Sequence, residues 1–121
     1  MAKPLQRYLR LLAGLTIISC LGQFLLPAEI AAASAWDFAP GWQREIAFWN
    51  VAMYIVIART LLANDPVSGR TVAIALVVLQ LLAATNHMVA AFRTQAILNT
   101  VMGAVNYGCV LLGAWSLRAP V

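Results

Sequence analysis

Four apolar runs, each about 20 residues long, occupy most of this chain and constrain its fold more than any other feature. A helix needs roughly 20 mainly apolar residues to cross a hydrocarbon core of about 30 Å. Membrane strands would instead alternate in polarity at every second residue, and these runs do not. We therefore predict an all-α chain with four membrane-spanning helices, over residues 6–26, 43–62, 70–92 and 95–117.

The links between these runs are short, which indicates how the helices are arranged. The stretch "ANDPVSGR" (63–70) carries Asn64, Asp65, Pro66 and Gly69, residue types that favour turns. The third link is only "RTQ" (93–95). Helices joined by short loops run antiparallel, so we predict one domain over residues 1–121, folded as an up-down-up-down four-helix bundle.

Composition and charge place this bundle in a membrane. The chain is 63% hydrophobic and 10% charged, whereas soluble domains are about 25% charged. With the amino terminus inside, six of the eight basic residues are cytoplasmic, as the positive-inside rule requires: Lys3, Arg7, Arg10, Arg59, Arg70 and Arg118. We expect both termini to be cytoplasmic, lipid to surround the helices, and a bacterial inner membrane to be the location. Since no basic cluster with interleaved aromatic residues occurs, no nucleic-acid partner is expected.

Two processing signals occur near the amino terminus. The "AAASA" stretch (31–35) offers a signal-peptide cleavage site, and "IISC" (17–20) is similar to a bacterial lipobox ending at Cys20. The first site lies nine residues beyond the apolar core that ends at Leu26. We therefore expect neither signal to be processed and Cys20 to be an ordinary helix residue.

Polar residues within the runs form the candidate ligand site, because polar groups in a membrane face the bundle interior or a cavity. Most of them lie in the outer halves of the predicted helices, which predicts a polar cavity open to the outside. The candidate residues are Gln23, Asn50, Tyr54, Gln80, Asn86, His87, Asn99 and Asn106. The same amides also suit hydrogen bonding between helices, without any ligand.

His87 is the only histidine and has several interpretations. It can be a neutral packing residue bonded to Asn86, to Asn99 or to a carbonyl. It can also donate to a quinone, relay protons, or serve as an axial ligand of haem or of a pigment such as chlorophyll. The sequence leaves these alternatives open.

Several kinds of chemistry have no support in the sequence. No acidic residue lies inside a predicted helix core, although proton-coupled transporters normally use one there. Ser19 and Cys20 have no carboxylate partner and His87 has no acid in its own helix, so no nucleophile with its base is visible. Cys20 and Cys109 lack the spacing of a metal site. We lean against enzymatic activity and predict no metal site.

The chain resembles the small bacterial four-helix membrane proteins of the DoxX-like and BphX-like type. The resemblance rests on the basic first helix, on "FWNVAMYIVIA" (48–58), on "NDPVSGR" (64–70), and on a third helix with a polar pair in its outer half. It implies a loose association with redox-linked membrane complexes. It transfers no functional residue.

We expect a non-catalytic accessory or structural subunit of a larger membrane complex, redox or photosynthetic in kind. Its partners would be other membrane subunits or further copies of the same chain. The alternative is an outward-open bundle that binds a lipophilic ring ligand such as a quinone, sterol or pigment. A dimeric small-solute transporter is a third reading, and it lacks an ion-coupling carboxylate.

Overall fold

The computed structural model describes residues 1–118 and contains five helices there. They are α1 (Lys3–Leu25), α2 (Pro27–Ala33), α3 (Pro40–Ala63), α4 (Pro66–Thr94) and α5 (Ile97–Ser116). No strand occurs in this part of the chain, so the predicted all-α class is confirmed. α1, α3, α4 and α5 are each long and apolar enough to cross a membrane. The predicted domain also included residues 119–121, which lie outside the described residues.

Prolines mark the start of four helices, and residues in the left-handed backbone conformation end two of them. A proline occupies the first turn of α1, α2, α3 and α4, where its missing N–H costs no helical hydrogen bond. Asn64 ends α3 at φ 50° and Gln95 ends α4 at φ 57°. The Asp65 carboxylate caps α4 by accepting from the Ser68 N–H at 2.8 Å. Hydrogen bonds from the Ser68 side chain and from its backbone N–H hold the pKa of Asp65 below its usual value.

The short helix α2 was not predicted, because residues 27–42 lie between the first two apolar runs. Its sequence "PAEIAAA" begins with proline and continues with alanines, which are the strongest helix formers. Seven residues are too few to cross a membrane. α2 turns back on α1, and the side chain of Ile30 lies over Gly22.

The four long helices form two antiparallel pairs. α1 lies along α3, since Gln6 bonds Asn64 at 2.9 Å near one end and Asn50 bonds Ser19 at 3.0 Å further along. α4 lies along α5, where Met88 covers Gly103. We call the end that contains Met1, Asn64 and Ser116 the proximal end, and the opposite end, which contains α2 and Gln95, the distal end.

The two pairs join mainly through a core in the proximal half. Leu9 and Ile57 are fully buried there, and Leu12 and Leu76 are 1% exposed. Around them lie Leu5, Tyr8, Ala73 and Cys109. In lipid the tails are as apolar as these side chains, so close packing rather than the hydrophobic effect must hold such helices together.

Gly113 permits the closest approach in this core. A Cβ at this position would lie 2.7 Å from Tyr8 Cζ and 2.8 Å from the Tyr8 hydroxyl, and closer still to Val77. These atoms come from α1 and α4, so three helices meet over one glycine. The branched Val77 side chain has little freedom to move away.

We predict that Gly113→Ala destabilises the protein by about 1–3 kcal/mol, because the added methyl group overpacks this junction. The measurement is thermal unfolding in mild detergent. Gly108→Ala is the matched control on the same helix, since a Cβ there meets no atom within 4 Å. Equal unfolding temperatures for the two variants would contradict the proposed role of Gly113.

Candidate functional site

The polar residues of the distal end centre on Asn99, which is fully buried in the first turn of α5. Its Oδ1 accepts a hydrogen bond from the Ala35 N–H at 2.7 Å. Its Nδ2 lies 3.3 Å from Nδ1 of His87 on α4. Asn99 therefore joins two helices to the loop that follows α2.

This geometry assigns the tautomer of His87. Because Asn99 Oδ1 accepts from a backbone N–H, the other end of the amide must be its donor NH₂ group. Nδ1 of His87 then accepts, and the ring proton lies on Nε2. The imidazole is neutral in this arrangement.

The loop side of the cluster is completed by Trp36. Its ring meets the His87 ring edge-on, with centroids 5.0 Å apart and an interplanar angle of 63°. The backbone N–H of Trp36 also donates to Ser34 Oγ at 3.3 Å, which tightens the turn after α2. We call Ala35, Trp36, His87 and Asn99 the distal clamp, because together they hold the loop against α4 and α5.

A second set of polar contacts joins α1, α2 and α3. Gln43 is 7% exposed and its Nε2 donates to the Pro27 carbonyl at 2.7 Å. Asn50 donates to Ser19 across the α1–α3 interface. Gln43 was missed by the sequence-based prediction. It precedes the fully buried Ala47 by four residues and Asn50 by seven, and this spacing on one face could have identified it.

The eight candidate residues do not form one cluster. His87 contacts Asn99, and Asn50 bonds Ser19 instead of another candidate. Asn106 is buried on α5, whereas Tyr54 and Asn86 are exposed on the outside of the helices. Gln23 and Gln80 are half-buried.

Four buried polar atoms have no hydrogen-bond partner among the described residues. They are the side-chain oxygens of Gln23, Gln43 and Gln80 and the hydroxyl of Tyr8. Three are acceptors, spread over α1, α3 and α4. Buried acceptors of this kind are commonly satisfied by water.

A concave recess of about 490 Å³ lies at the distal end, beside the distal clamp. The recess is lined by α2 and by the loop after it. The cavity predicted from the sequence was instead expected between the long helices. Its lining consists of small residues with two aromatic side chains and one acid: Ala28, Ala31, Ala32, Ser34, Ala35, Trp36, Asp37 and Phe38. Within residues 1–118, no group of three His, Cys, Asp or Glu side chains could hold a metal ion.

Comparisons of the chain with protein-family models, with curated proteins and with solved structures find no match.

We predict that Asn99→Leu loosens the loop and lowers stability by about 1–3 kcal/mol, because the Ala35 N–H and His87 both lose their partner. Limited proteolysis within residues 34–39 and thermal unfolding in detergent are the measurements. Thr100→Val is the matched control, since Thr100 is exposed and its hydroxyl bonds only its own helix. Equal protease resistance of the two variants would mean that the clamp does not hold the loop.

Proposed function

We propose that this chain is a non-catalytic integral membrane protein that serves as an accessory or structural subunit of a larger membrane complex. We further propose that it forms an up-down-up-down four-helix bundle in a bacterial inner membrane, with both termini cytoplasmic. The proposed kinship with the DoxX-like and BphX-like proteins favours a redox complex, and a photosynthetic complex is the other candidate.

The charges and the exposed surface support membrane insertion. Six of the eight basic residues belong to the parts of the chain nearer the proximal end and two to the parts nearer the distal end, which favours a cytoplasmic proximal end. Large apolar side chains are exposed on every long helix, among them Ile18, Trp49, Leu82 and Leu111 at 67%, 71%, 64% and 72%. Such a surface suits contact with lipid or with other membrane helices.

One observation carries the accessory role. Three of the polar residues expected to bind a ligand are used within the chain, because Asn99 and His87 hold the loop and Asn50 bonds Ser19. Few of the residues that the structure describes lie outside the helices. Contacts with partners would therefore be made by helix surfaces inside the membrane.

A second function, binding of a lipophilic ring ligand such as a quinone, is favoured by the recess at the distal end. Trp36 and Phe38 line it and could stack on a flat ring. Trp36 also contacts His87, so a ligand there would alter the surroundings of that imidazole. Small-solute transport by a dimer has no comparable support.

The accessory role predicts that a tagged chain, solubilised from native membranes in mild detergent, migrates on a native gel with other membrane subunits. Migration of the chain alone would refute the accessory role.

The proposed orientation predicts that, in inside-out vesicles, added protease removes tags from both termini. Protection of either tag in inside-out vesicles, with loss in right-side-out vesicles, would refute the proposed orientation.

A further inference from the structure

Asn86 is an exposed polar residue at a depth where a membrane helix normally presents apolar groups. α4 spans 29 residues, so Gln80 is its middle residue and Asn86 lies six residues beyond. At 1.5 Å per residue this is about 9 Å, within the roughly 15 Å half-thickness of a hydrocarbon core. The Asn86 side chain is exposed and has no hydrogen-bond partner among the described residues.

The residues around Asn86 make this feature distinctive. Its neighbour Thr85 is also exposed, but the Thr85 hydroxyl donates to the Leu81 carbonyl at 2.9 Å and lies 3.4 Å from the Tyr107 hydroxyl. Thr85 therefore needs no outside partner. The amide of Asn86 can be satisfied in lipid only by another protein group, and an unsatisfied amide there is costly.

The helix face that carries Asn86 is otherwise apolar. Leu79 and Leu82 lie seven and four residues before Asn86, and Val89 lies three residues after it. These three side chains are exposed, at 47%, 64% and 44% respectively. Residues at these spacings share one side of a helix. No charged residue lies on α4 between Arg70 and Arg93.

We propose that this face of α4 packs against the same face of a second copy of the chain, with Asn86 bonded to Asn86 of the other copy. A side-chain amide both donates and accepts, so two such amides are mutually complementary. A two-fold axis along the membrane normal places them at equal depth without any further requirement. A different partner would need its own polar group at that depth.

Arg93 does not oppose this pairing. It lies seven residues beyond Asn86, in the last turn of α4, and is exposed. Its long side chain can extend into water, where ionic screening weakens repulsion between the two copies. The inference rests on the membrane insertion proposed above and is independent of the accessory role.

The experiment uses the purified full-length chain, labelled at its amino terminus with donor or acceptor fluorophores. The labelled chains are mixed in phosphatidylcholine vesicles over a range of protein-to-lipid ratios, and energy transfer reports association. Asn86→Leu should weaken association by about 3- to 30-fold, the range expected for hydrogen bonding between membrane helices. Asn86→Gln should retain it, and Thr85→Val is the matched control and should leave it unchanged.

Three results would overturn the proposal. One is association of Asn86→Leu within about twofold of the unsubstituted chain. Another is an equal loss for Thr85→Val. The third is no energy transfer from the unsubstituted chain at any ratio; if Asn86→Leu is then also lost from the native complex, the face binds a different protein.

Two controls separate this test from the earlier proposals. Flotation of the vesicles shows whether the chain inserts, and failure to float would refute membrane insertion itself. Thermal unfolding of Asn86→Leu should match that of the unsubstituted chain, because Asn86 makes no contact that a fold would lose. A chain that dimerises but migrates without other subunits refutes only the accessory role.

Discussion

The packing of Tyr8 and Val77 against Gly113 is the interaction on which the helix arrangement depends. α1 packs along α3 and α4 packs along α5, and the two pairs join where α1 meets α4 and α5 and where α3 meets α4. Helices in lipid gain no hydrophobic free energy by meeting, so the pairs stay together only where shapes match closely. A glycine opposite an aromatic ring gives such a match, and the surrounding leucines extend it.

The distal end is held by a different interaction. There the close contacts are polar, and Asn99, His87 and Gln43 connect the long helices to α2 and its loop. Each of these bonds satisfies a group that lipid would leave unpaired, and so each fixes a segment that has little apolar surface of its own. These three polar residues therefore serve the fold, whereas Asn86 is exposed and remains for contacts outside the chain.

The long helices could be predicted from the sequence because hydropathy over about 20 residues is a strong signal, and their ends differ by only a few residues from the structure. α2 could not be predicted, since seven residues give no such signal.

The candidate site was harder still to predict from the sequence. Asn86 and His87 are adjacent in sequence but differ by about 100° around the helix, so Asn86 is exposed on the outside and His87 faces Asn99. Tyr54 is likewise exposed, at 38%. Such rotations depend on how the helices pack, which periodicity alone does not determine.

The state of His87 distinguishes a residue that holds the loop from one that binds a ligand or carries protons. It is the only histidine, so ¹⁵N-histidine labelling of the chain in lipid reports a single side chain. Solid-state NMR should find a neutral ring with the proton on Nε2 and with Nδ1 accepting from the Asn99 amide, and the Asn99→Leu variant should lose that coupling. A proton on Nδ1, or a doubly protonated ring at neutral pH, would contradict the clamp and return His87 to the ligand-binding or proton-relay alternatives.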